Sequence, residues 1–485
     1  MRYPIRRCDV FIVVMLLLLI DSIGFAQTDA TWLNPVDGNW SDAANWSIDP
    51  VYPNNGSPAA GDAYNVTIDV TGSPYVIDVS PGITLNNLTL NSSDCSLIMR
   101  NGLNIQETLN LQAGAFHMTR GTLSNATVVG GPDESVVIGY DRLGGEDVTF
   151  DHVTLYVPVT VQAGYNRGDV KIVNDLAIEG TTFDARYEDF VWAGGRLTSQ
   201  THGDFLLSAT IQVISSDGLT IDPTITVTGA GSSGNLGGTG STILNHGVIQ
   251  TLTSADRFTI AASEFTNQGL IEIQGGSTIW LNSVHWNNQG VIRLSDGELD
   301  LGGLITMSDV GVIERSAGTT VRLRGNFDNT GQTLALDAFE GGWELAGEIS
   351  GGRISAEGDR ELLVGSTNWS RSDMAYLRNV EVDPNIRVKA RAQLTVGSDA
   401  VLHGDRLTIE DGGSAIFEDD VDYLTIAFAN TVYNPGMFSA PTLGPNSTVT
   451  VHDGDGSLST NNLGLIVIDA PEHYLHIPAP VATTV

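Results

Sequence analysis

Charged residues alternate with leucines in LSDGELDL (294–301), and further charged pairs follow at 314–315 and in VRLRG (321–325). In a β-strand this alternation would place the carboxylates on one outward face. Glycoside hydrolysis needs two carboxylates that face each other across a groove, and a polysaccharide lyase needs clustered acids with a nearby arginine. The residues that could contribute are Asp296, Glu298, Asp300, Glu314, Arg315, Arg322 and Arg324. We favour a solvated strand face with ion pairs between neighbouring strands, because such residues occur on every exposed strand of the chain.

Other candidate sites are incomplete. FEDDVD (417–422) and HDGDG (452–456) offer oxygens to calcium, but the second segment lacks the remaining ligands of a calcium loop. His473 and His476 lie three residues apart without a third ligand for a metal. No zinc-protease, serine-hydrolase or phosphate-loop motif occurs. We therefore assign no catalytic, cofactor-binding or metal-binding residue, and calcium is the one cofactor that these acidic segments leave open.

The elements that would position these residues are repeats. FTNQGLIEIQGG (265–276) returns as WNNQGVIRLSDG (286–297), and related phrases place glycines at 247, 269, 290, 311 and 331. A near-constant step of about 20–22 residues indicates a stacked repeat fold. Short alternating strands bounded by Gly, Asn and Asp predict an all-β, right-handed parallel β-helix (solenoid) with about 20–22 residues per coil. A leucine-rich repeat shares the period, but its fixed leucine ladder is missing.

Equivalent asparagines recur in these coils. Asn245, Asn267, Asn288 and Asn329 occupy the same place in their phrases, and Asp309 stands at the corresponding place in MSDVGVIERSAG. Asparagines in stacked coils can pair their side-chain amides as a ladder. We prefer this structural interpretation to a ligand site. Loop insertions that could flank a catalytic cleft do not exceed about ten residues between 243 and 355.

The chain divides into four predicted segments. Residues 1–26 combine three arginines, the apolar run VFIVVMLLLLI (10–20) and small residues at 24 and 26, which is typical of a signal peptide. Residues 27–70 form a Trp-rich cap, 71–430 the parallel β-helix, and 431–485 an irregular C-terminal cap or tail. A membrane anchor is the alternative for the first segment. After cleavage we expect no membrane span.

Tryptophans offer the second kind of candidate site. Trp32, Trp40 and Trp46 could cover the open end of the first coil or form a sugar-stacking surface. We favour capping, because no basic or amide cluster is evident nearby to orient a sugar. Trp280, Trp286 and Trp343 are candidates for an exposed glycan-binding line, but Trp286 is equivalent to Phe265 and Phe327 and is expected to point inward.

Charge and cysteine content limit the partners and the compartment. The net charge is −34, and Lys171 and Lys389 are the only lysines, so a nucleic-acid partner is excluded. Once residues 1–26 are removed, Cys95 is the only cysteine and no internal disulfide can form. An exported chain of this kind must derive its stability from a long apolar core.

The N-terminal segment carries a resemblance. The pattern resembles the opening of exported bacterial β-strand-repeat proteins, which are frequent in planctomycetes and similar to autotransporter passenger repeats. It consists of Trp32, Gly38, Trp40, Asp42, Asn45 and Trp46, followed by Pro58, Gly61, Asp62, Val66 and Ile68. The phrases GTLSNATV (121–128), VTFDHVTL (148–155) and WELAGEISGGRI (343–354) are similar to the repeats of this group. The resemblance implies a secreted or cell-surface β-helix and carries over no catalytic residue. Unlike many members, this chain ends without a membrane barrel, dockerin-like repeat or sorting tail.

Two functions follow as hypotheses. The first is a non-enzymatic exported β-solenoid, adhesin-like or envelope-associated, with an extracellular glycan or a cell-surface protein as partner. The second is a carbohydrate-active enzyme of the β-helix type, either a polysaccharide lyase or a glycosidase. A glycan-binding module without catalysis lies between them. Clustered acids beside an open cleft would favour the enzyme, and aligned exposed aromatic rings would favour the module.

Overall fold

The computed structural model describes the greater part of the chain. The described residues are 27–139, 147–162, 169–186, 189–208, 210–231, 234–336, 342–365, 374–389, 391–397, 400–403, 407–409, 414–417, 442–443, 448–451 and 474–476. The predicted signal peptide lies outside them. The chain forms two compact units with the boundary after Gln162, here called the N-terminal and C-terminal units.

The N-terminal unit is built from parallel strands and one short 3₁₀ helix. Its strands are β1 (Gln27–Thr31), β2 (Gly38–Asn39), β3 (Ala63–Ile68), β4 (Tyr75–Val79), β5 (Ile83–Met99), β6 (Leu103–Met118), β7 (Gly121–Ser124), β8 (Thr127–Gly130), β9 (Val136–Ile138), β10 (Val148–Leu155) and β11 (Val159–Val161), and the 3₁₀ helix is Ala43–Asn45. Val66 on β3 pairs with Leu88 on β5, which in turn pairs with Leu109 on β6. These pairs show the coil period of the sequence repeats in this unit as well.

The C-terminal unit begins with a further series of parallel strands. These are β12 (Val170–Ile178), β13 (Thr181–Ala185), β14 (Phe190–Trp192), β15 (Arg196–Thr198), β16 (Gly203–Leu207), β17 (Thr210–Val213), β18 (Leu219–Ile221), β19 (Ile225–Gly229), β20 (Gly234–Asn245), β21 (Val248–Thr251), β22 (Arg257–Asn267), β23 (Leu270–Ile273), β24 (Ser277–Leu281), β25 (His285–Asn288), β26 (Val291–Leu294), β27 (Gly297–Leu301) and β28 (Leu304–Thr306). A four-residue helix, α1 (Met307–Val310), follows, and its first turn is capped by Thr306 and Asp309.

The remaining strands continue the same unit. They are β29 (Val312–Arg315), β30 (Thr320–Leu323), β31 (Asn326–Asp328), β32 (Thr333–Leu336), β33 (Gly342–Leu345), β34 (Glu348–Ser350), β35 (Arg353–Ala356), β36 (Glu361–Val364), β37 (Met374–Arg378), β38 (Glu381–Val382), β39 (Asn385–Val388), β40 (Gln393–Val396), β41 (Val401–Leu402), β42 (Leu407–Ile409), β43 (Ser414–Phe417), β44 (Thr442–Leu443), β45 (Thr448–Val451) and β46 (Tyr474–His476). Strands β32, β35, β38 and β41 form a separate four-stranded sheet. Of the predicted C-terminal cap, only β44 to β46 lie within the described residues, and they pair in parallel with β42, β43 and each other.

The predicted all-β parallel solenoid is confirmed, and alternation along each strand explains it. On β23, Ile271 and Ile273 are fully buried while Glu272 between them reaches the surface. Equivalent apolar residues stack from coil to coil, so within each unit every strand adds to the apolar interior. Burying such a side chain contributes about 1.5–3 kcal/mol. Within the described part of the chain, no helix has the length and apolar character required to span a membrane.

The recurrent glycine has a steric cause. A Cβ added to Gly269 would lie 2.1 Å from the carbonyl oxygen of Gly247, and one added to Gly290 would lie 2.1 Å from that of Gly269. These distances are far below van der Waals contact. At these two steps the backbone of one coil therefore rests directly on the glycine of the preceding coil, and no side chain can be accommodated there. Gly247 and Gly311 meet other backbone carbonyl oxygens, at 2.4 and 2.0 Å, whereas Gly331 has open space around it and a φ of +71°.

Candidate functional site

Three charged side chains form what we call the charged ladder on neighbouring strands of the C-terminal unit. Asp300 on β27 pairs in register with Arg322 on β30, which pairs with Glu344 on β33. Leu299 and Leu301, on either side of Asp300, are fully buried in the core. Because successive side chains of a strand alternate between its two faces, the charged ladder lies on the face opposite the core.

Short ion pairs join the three residues. The Nη1 of Arg322 donates to Oδ1 of Asp300 at 2.7 Å, and its Nε donates to Oε2 of Glu344 at 2.8 Å. The coil spacing of a parallel sheet brings side chains at the same position close enough for such bonds. One guanidinium thus links a carboxylate on the coil below to one on the coil above.

Three further residues complete the network. Arg324 donates through Nε to Oδ2 of Asp300 at 2.8 Å, and Lys389 donates through Nζ to Oε1 of Glu344. The Oε2 of Glu298 lies 3.5 Å from the Nη1 of Arg322. The six side chains of this described network, three acids and three bases, have a formal charge of zero. Such balance permits burial, because each charge has an opposite charge in contact.

Burial sets the electrostatics of the charged ladder. The exposed fraction of the side chain is 1% for Arg322, 8% for Asp300 and 5% for Glu344. Burial raises the pKa of the Asp300 carboxyl, and Arg322 and Arg324 oppose that rise. A general acid or a nucleophile must reach the atoms of its substrate. These groups are instead covered and held by one another, so the arrangement is suited to a structural role.

Two members of this network were not found from the sequence. Glu344 stands one coil period after Arg322 and could have been located by extending the repeat by one more step. Lys389 is far from Glu344 in the chain and reaches it from another strand. No periodic signal marks such a lysine, since its long flexible side chain spans the distance.

The rest of the predicted acidic patch does not join the charged ladder. Asp296 is exposed in the turn before β27. Glu314 belongs to a separate surface row in which Arg293 donates to it through Nε at 2.9 Å and lies 3.6 Å from Glu272. The grouping of Asp296 and Glu314 with Asp300 was therefore wrong. The repeat phrases align Glu314 with Arg293 and Glu272, so their alignment could have separated this row from that of Asp300.

Arg315 departs from the prediction in the opposite direction. It pairs in register with Leu294, a fully buried core residue, and only 8% of it is exposed. Its guanidinium lies 5.4 Å from the centre of the Trp343 ring, within the range of a cation–π contact. Arg315 is thus directed inward and is not available to a substrate. Trp343 is partly buried by the same contact.

The remaining tryptophan candidates separate into buried and exposed rings. The inward orientation of Trp286 is confirmed, because it is 3% exposed, pairs with Phe265 and donates its indole N–H to the carbonyl of Gly302 at 2.8 Å. Trp280 is 38% exposed and pairs with Asp300 of the charged ladder. The three rings do not form an exposed line, so they do not support the candidate glycan-binding surface.

The predicted asparagine ladder is confirmed for three coils, and we call these residues the amide ladder. Asn245 donates through Nδ2 to Oδ1 of Asn267 at 2.7 Å, and Asn267 donates to Asn288 at 2.7 Å. The ladder ends there, because the next coil carries Asp309, which caps α1. Asn329 is buried beyond this break and donates to backbone carbonyls, the nearer at 3.0 Å, so its inclusion in the ladder was wrong.

The three N-terminal tryptophans form a packed cluster. Trp32, Trp40 and Trp46 are at most 1% exposed. The ring centres of Trp32 and Trp46 are 5.0 Å apart, and those of Trp40 and Trp46 are 4.6 Å apart. The indole N–H groups of Trp40 and Trp46 donate to backbone carbonyls. A sugar-stacking surface made of these rings is excluded, because none of them is accessible.

The predicted metal candidates are mostly outside the described residues. Residues 418–422, 452–456 and His473 lie outside, and only the backbone of His476, on β46, is described. Within the described ranges, no three His, Cys, Asp or Glu side chains are arranged to hold a metal ion.

Comparisons with protein families, curated proteins and solved structures give no match to this chain.

Proposed function

We propose that this chain is a non-enzymatic, exported β-solenoid that acts as an adhesin-like or envelope-associated structural protein. One observation carries the proposal. Four of the residues with the best sequence pattern for polysaccharide cleavage, Glu298, Asp300, Arg322 and Arg324, are committed to a charge-balanced network, with Arg322 at its centre and 1% exposed. Removing such groups from the network to reach a substrate would leave unpaired charges in a buried position.

Coil length supports the same proposal. From β21 to β35, residues that pair in register on neighbouring coils have similar separations in the sequence. The smallest separation is that of His285 and Leu304, and none is larger than that of Val248 and Leu270. Every coil in this region therefore has about 20 residues. Catalytic clefts on repeat folds are usually bordered by longer loops. Coils of near-constant length favour a surface that repeats its outward residues in rows, which suits attachment to an extended partner.

Export is supported by the sequence pattern of residues 1–26 and by the strong negative charge. The proposed location is the cell surface or the extracellular medium, and the proposed partner is an extracellular glycan or a cell-surface protein. N-terminal sequencing of exported protein tests cleavage after residue 26, and an uncleaved chain retained in the cell would contradict it.

The alternative is a β-helix polysaccharide lyase or glycosidase. The test incubates the purified protein with acidic and neutral polysaccharides, with and without calcium, and follows new reducing ends and unsaturated uronates. The matched variant is Asp300→Asn, which alters the charged ladder. We expect no product from either protein. Product formed by the wild type would overturn the non-enzymatic proposal, whether or not Asp300→Asn retains the activity.

A further inference from the structure

An open cleft in the N-terminal unit brings together amide side chains that are remote in the sequence. Its volume is about 580 Å³, and it is broadly open to solvent. Its lining residues are Gln27, Asn55, Gly56, Ala60, Gly61, Asp62, Ala63, Thr84, Asn86 and Gln106. We call it the amide cleft. The expectation that no amide cluster lies near the N-terminal tryptophans was therefore wrong.

A strand irregularity positions two of these amides. Leu85 on β5 pairs with Ile105 on β6, but Asn87 pairs with Thr108, so Asn86 stands opposite two residues of the next coil. This is a β-bulge, and bulges redirect side chains and occur frequently beside binding sites. The bulge explains how Asn86 and Gln106 both line the cleft although the strands around them follow the regular alternation.

Asn55 holds the neighbouring amides in fixed orientations. Its Oδ1 accepts a hydrogen bond from the backbone N–H of Tyr64 at 2.8 Å, so its Nδ2 is the donor to Oδ1 of Asn86 at 2.8 Å and to Oε1 of Gln106 at 3.4 Å. Because both acceptor oxygens are used in this way, the amide nitrogens of Asn86 and Gln106 remain as donors for a ligand. The cleft is thus preorganised.

The opposite parts of the cleft add a donor and an acceptor. The Oε1 of Gln27 accepts from Nδ2 of Asn65 at 3.2 Å, which leaves its amide nitrogen as a donor. The Oδ2 of Asp62 accepts from the backbone N–H of Ala59 at 2.8 Å, which leaves Oδ1 as an acceptor. A hydroxyl group can both donate and accept a hydrogen bond. A ligand with several hydroxyls therefore matches the donors and the acceptor around this cleft.

The composition of the lining selects the class of ligand. Its side chains include one acid and no base, and the chain has a net charge of −34, so the protein as a whole repels a polyanion even with the α-ammonium group that cleavage after residue 26 would leave on Gln27. The lining contains no aromatic or large aliphatic residue, so an apolar ligand would gain little from burial. We propose that the amide cleft binds a neutral oligosaccharide through its hydroxyl groups. This inference rests on the proposed function, because it names the glycan class that the solenoid would contact.

The experiment measures binding of neutral gluco-, manno-, galacto- and xylo-oligosaccharides and of acidic uronate oligosaccharides to the purified protein by saturation-transfer NMR and calorimetry. The test variant is Gln106→Ala, since Gln106 is exposed and its loss removes only a long hydrogen bond from the fold. The matched control is Gln289→Ala, an exposed glutamine of the C-terminal unit that also accepts an amide hydrogen bond. Circular dichroism confirms that both variants are folded.

We expect neutral oligosaccharides to bind with a dissociation constant on the order of millimolar. Gln106→Ala should weaken binding about 3- to 10-fold, the usual effect of one lost hydrogen bond, and Gln289→Ala should leave it unchanged. Absence of binding by the neutral panel, equal binding by all three proteins, or binding of acidic oligosaccharides alone would each overturn the inference. None of these outcomes involves product release, so they are distinguishable from failure of the non-enzymatic proposal.

Discussion

The amide ladder and the charged ladder solve the same problem in different ways. Both stack polar side chains coil above coil in the C-terminal unit, and both are buried. In the amide ladder, Asn267 donates to one neighbour and accepts from the other, so identical residues satisfy one another. In the charged ladder, Arg322 needs an acid on each side.

The difference lies in what each chemistry demands of the next coil. An amide carries both donor and acceptor atoms, so the same residue can be repeated without a net charge in the interior. A guanidinium has donors only, and burial of its charge is costly unless carboxylates surround it. The amide ladder is therefore periodic in sequence, whereas the charged ladder changes residue type at every coil and draws on Arg324 and Lys389 at its ends.

Removal of the central cation should have the largest effect. Arg322→Met keeps an unbranched side chain but leaves Asp300 and Glu344 without their shared partner. We expect the free energy of unfolding to fall by about 3–5 kcal/mol, the usual cost of breaking a buried ion pair. Urea denaturation followed by circular dichroism measures it. A loss below about 1 kcal/mol would show that Arg324 and Lys389 compensate both carboxylates.

Interruption of the amide ladder should cost less, because no charge is left unpaired. Asn267→Ala removes the acceptor of Asn245 and the donor to Asn288, and we expect a loss of about 2–4 kcal/mol. The control is Gln268→Ala, at the position next to Asn267. It removes an exposed hydrogen bond between the amides of Gln268 and Gln289. If the two variants have equal urea midpoints, the buried ladder does not stabilise the coils more than a surface contact does.

A buried acid that is paired mainly with backbone N–H groups tests a third case. Asp256 accepts from the N–H groups of Gly231 at 2.7 Å, Thr253 at 2.8 Å and Leu252 at 3.1 Å. Burial raises its pKa, but these bonds outweigh burial, so the pKa of Asp256 lies below its usual value. The contribution of the ionised Asp256 carboxylate to stability is then complete above the pKa of an aspartate in the unfolded chain, about 4. It is lost as the pH falls through the pKa of Asp256 in the folded protein.

Asp256→Asn should therefore destabilise the protein by about 1–2 kcal/mol near neutral pH and by progressively less below about pH 4. Urea midpoints of the wild type and the variant at a series of pH values measure this convergence. Asp296→Asn, at an exposed turn position, serves as the control. A difference between wild type and Asp256→Asn that stays constant with pH would contradict the role of the ionised carboxylate.

The smallest effect is expected on the surface row of Glu272, Arg293 and Glu314. It has the alternating charges of the charged ladder, but the side chain of Arg293 is 42% exposed. Exposed ion pairs contribute little because water screens them. Arg293→Ala should leave the urea midpoint unchanged within error. A loss as large as that of Arg322→Met would mean that alternation of charge, and not burial, governs both rows.

The predictions from sequence succeeded where one coil repeats the next. The fold class, the inward position of Trp286 and the bonds from Asn245 to Asn288 all depend on the coil period, which the sequence displays directly. The assignments failed where position on a coil mattered. Asp300 and Glu314 lie on different outward rows, and Arg315 points inward in line with the buried Leu294, because the grouping followed nearness in the sequence and not position in the repeat. The amide cleft depends on a bulge at Asn86, for which sequence periodicity has no signal.

The contact of glycine on glycine makes this part of the C-terminal unit modular in length. Gly269 lies against the carbonyl oxygen of Gly247 and Gly290 against that of Gly269, so these three coils offer one another an interchangeable junction. Excision of residues 268–288 would join Asn267 directly to Gln289 and recreate the Asn-Gln-Gly phrase with one turn fewer. A gene encoding such coils can thus lengthen or shorten its product by whole turns through duplication or deletion, without a new junction having to arise by point mutation.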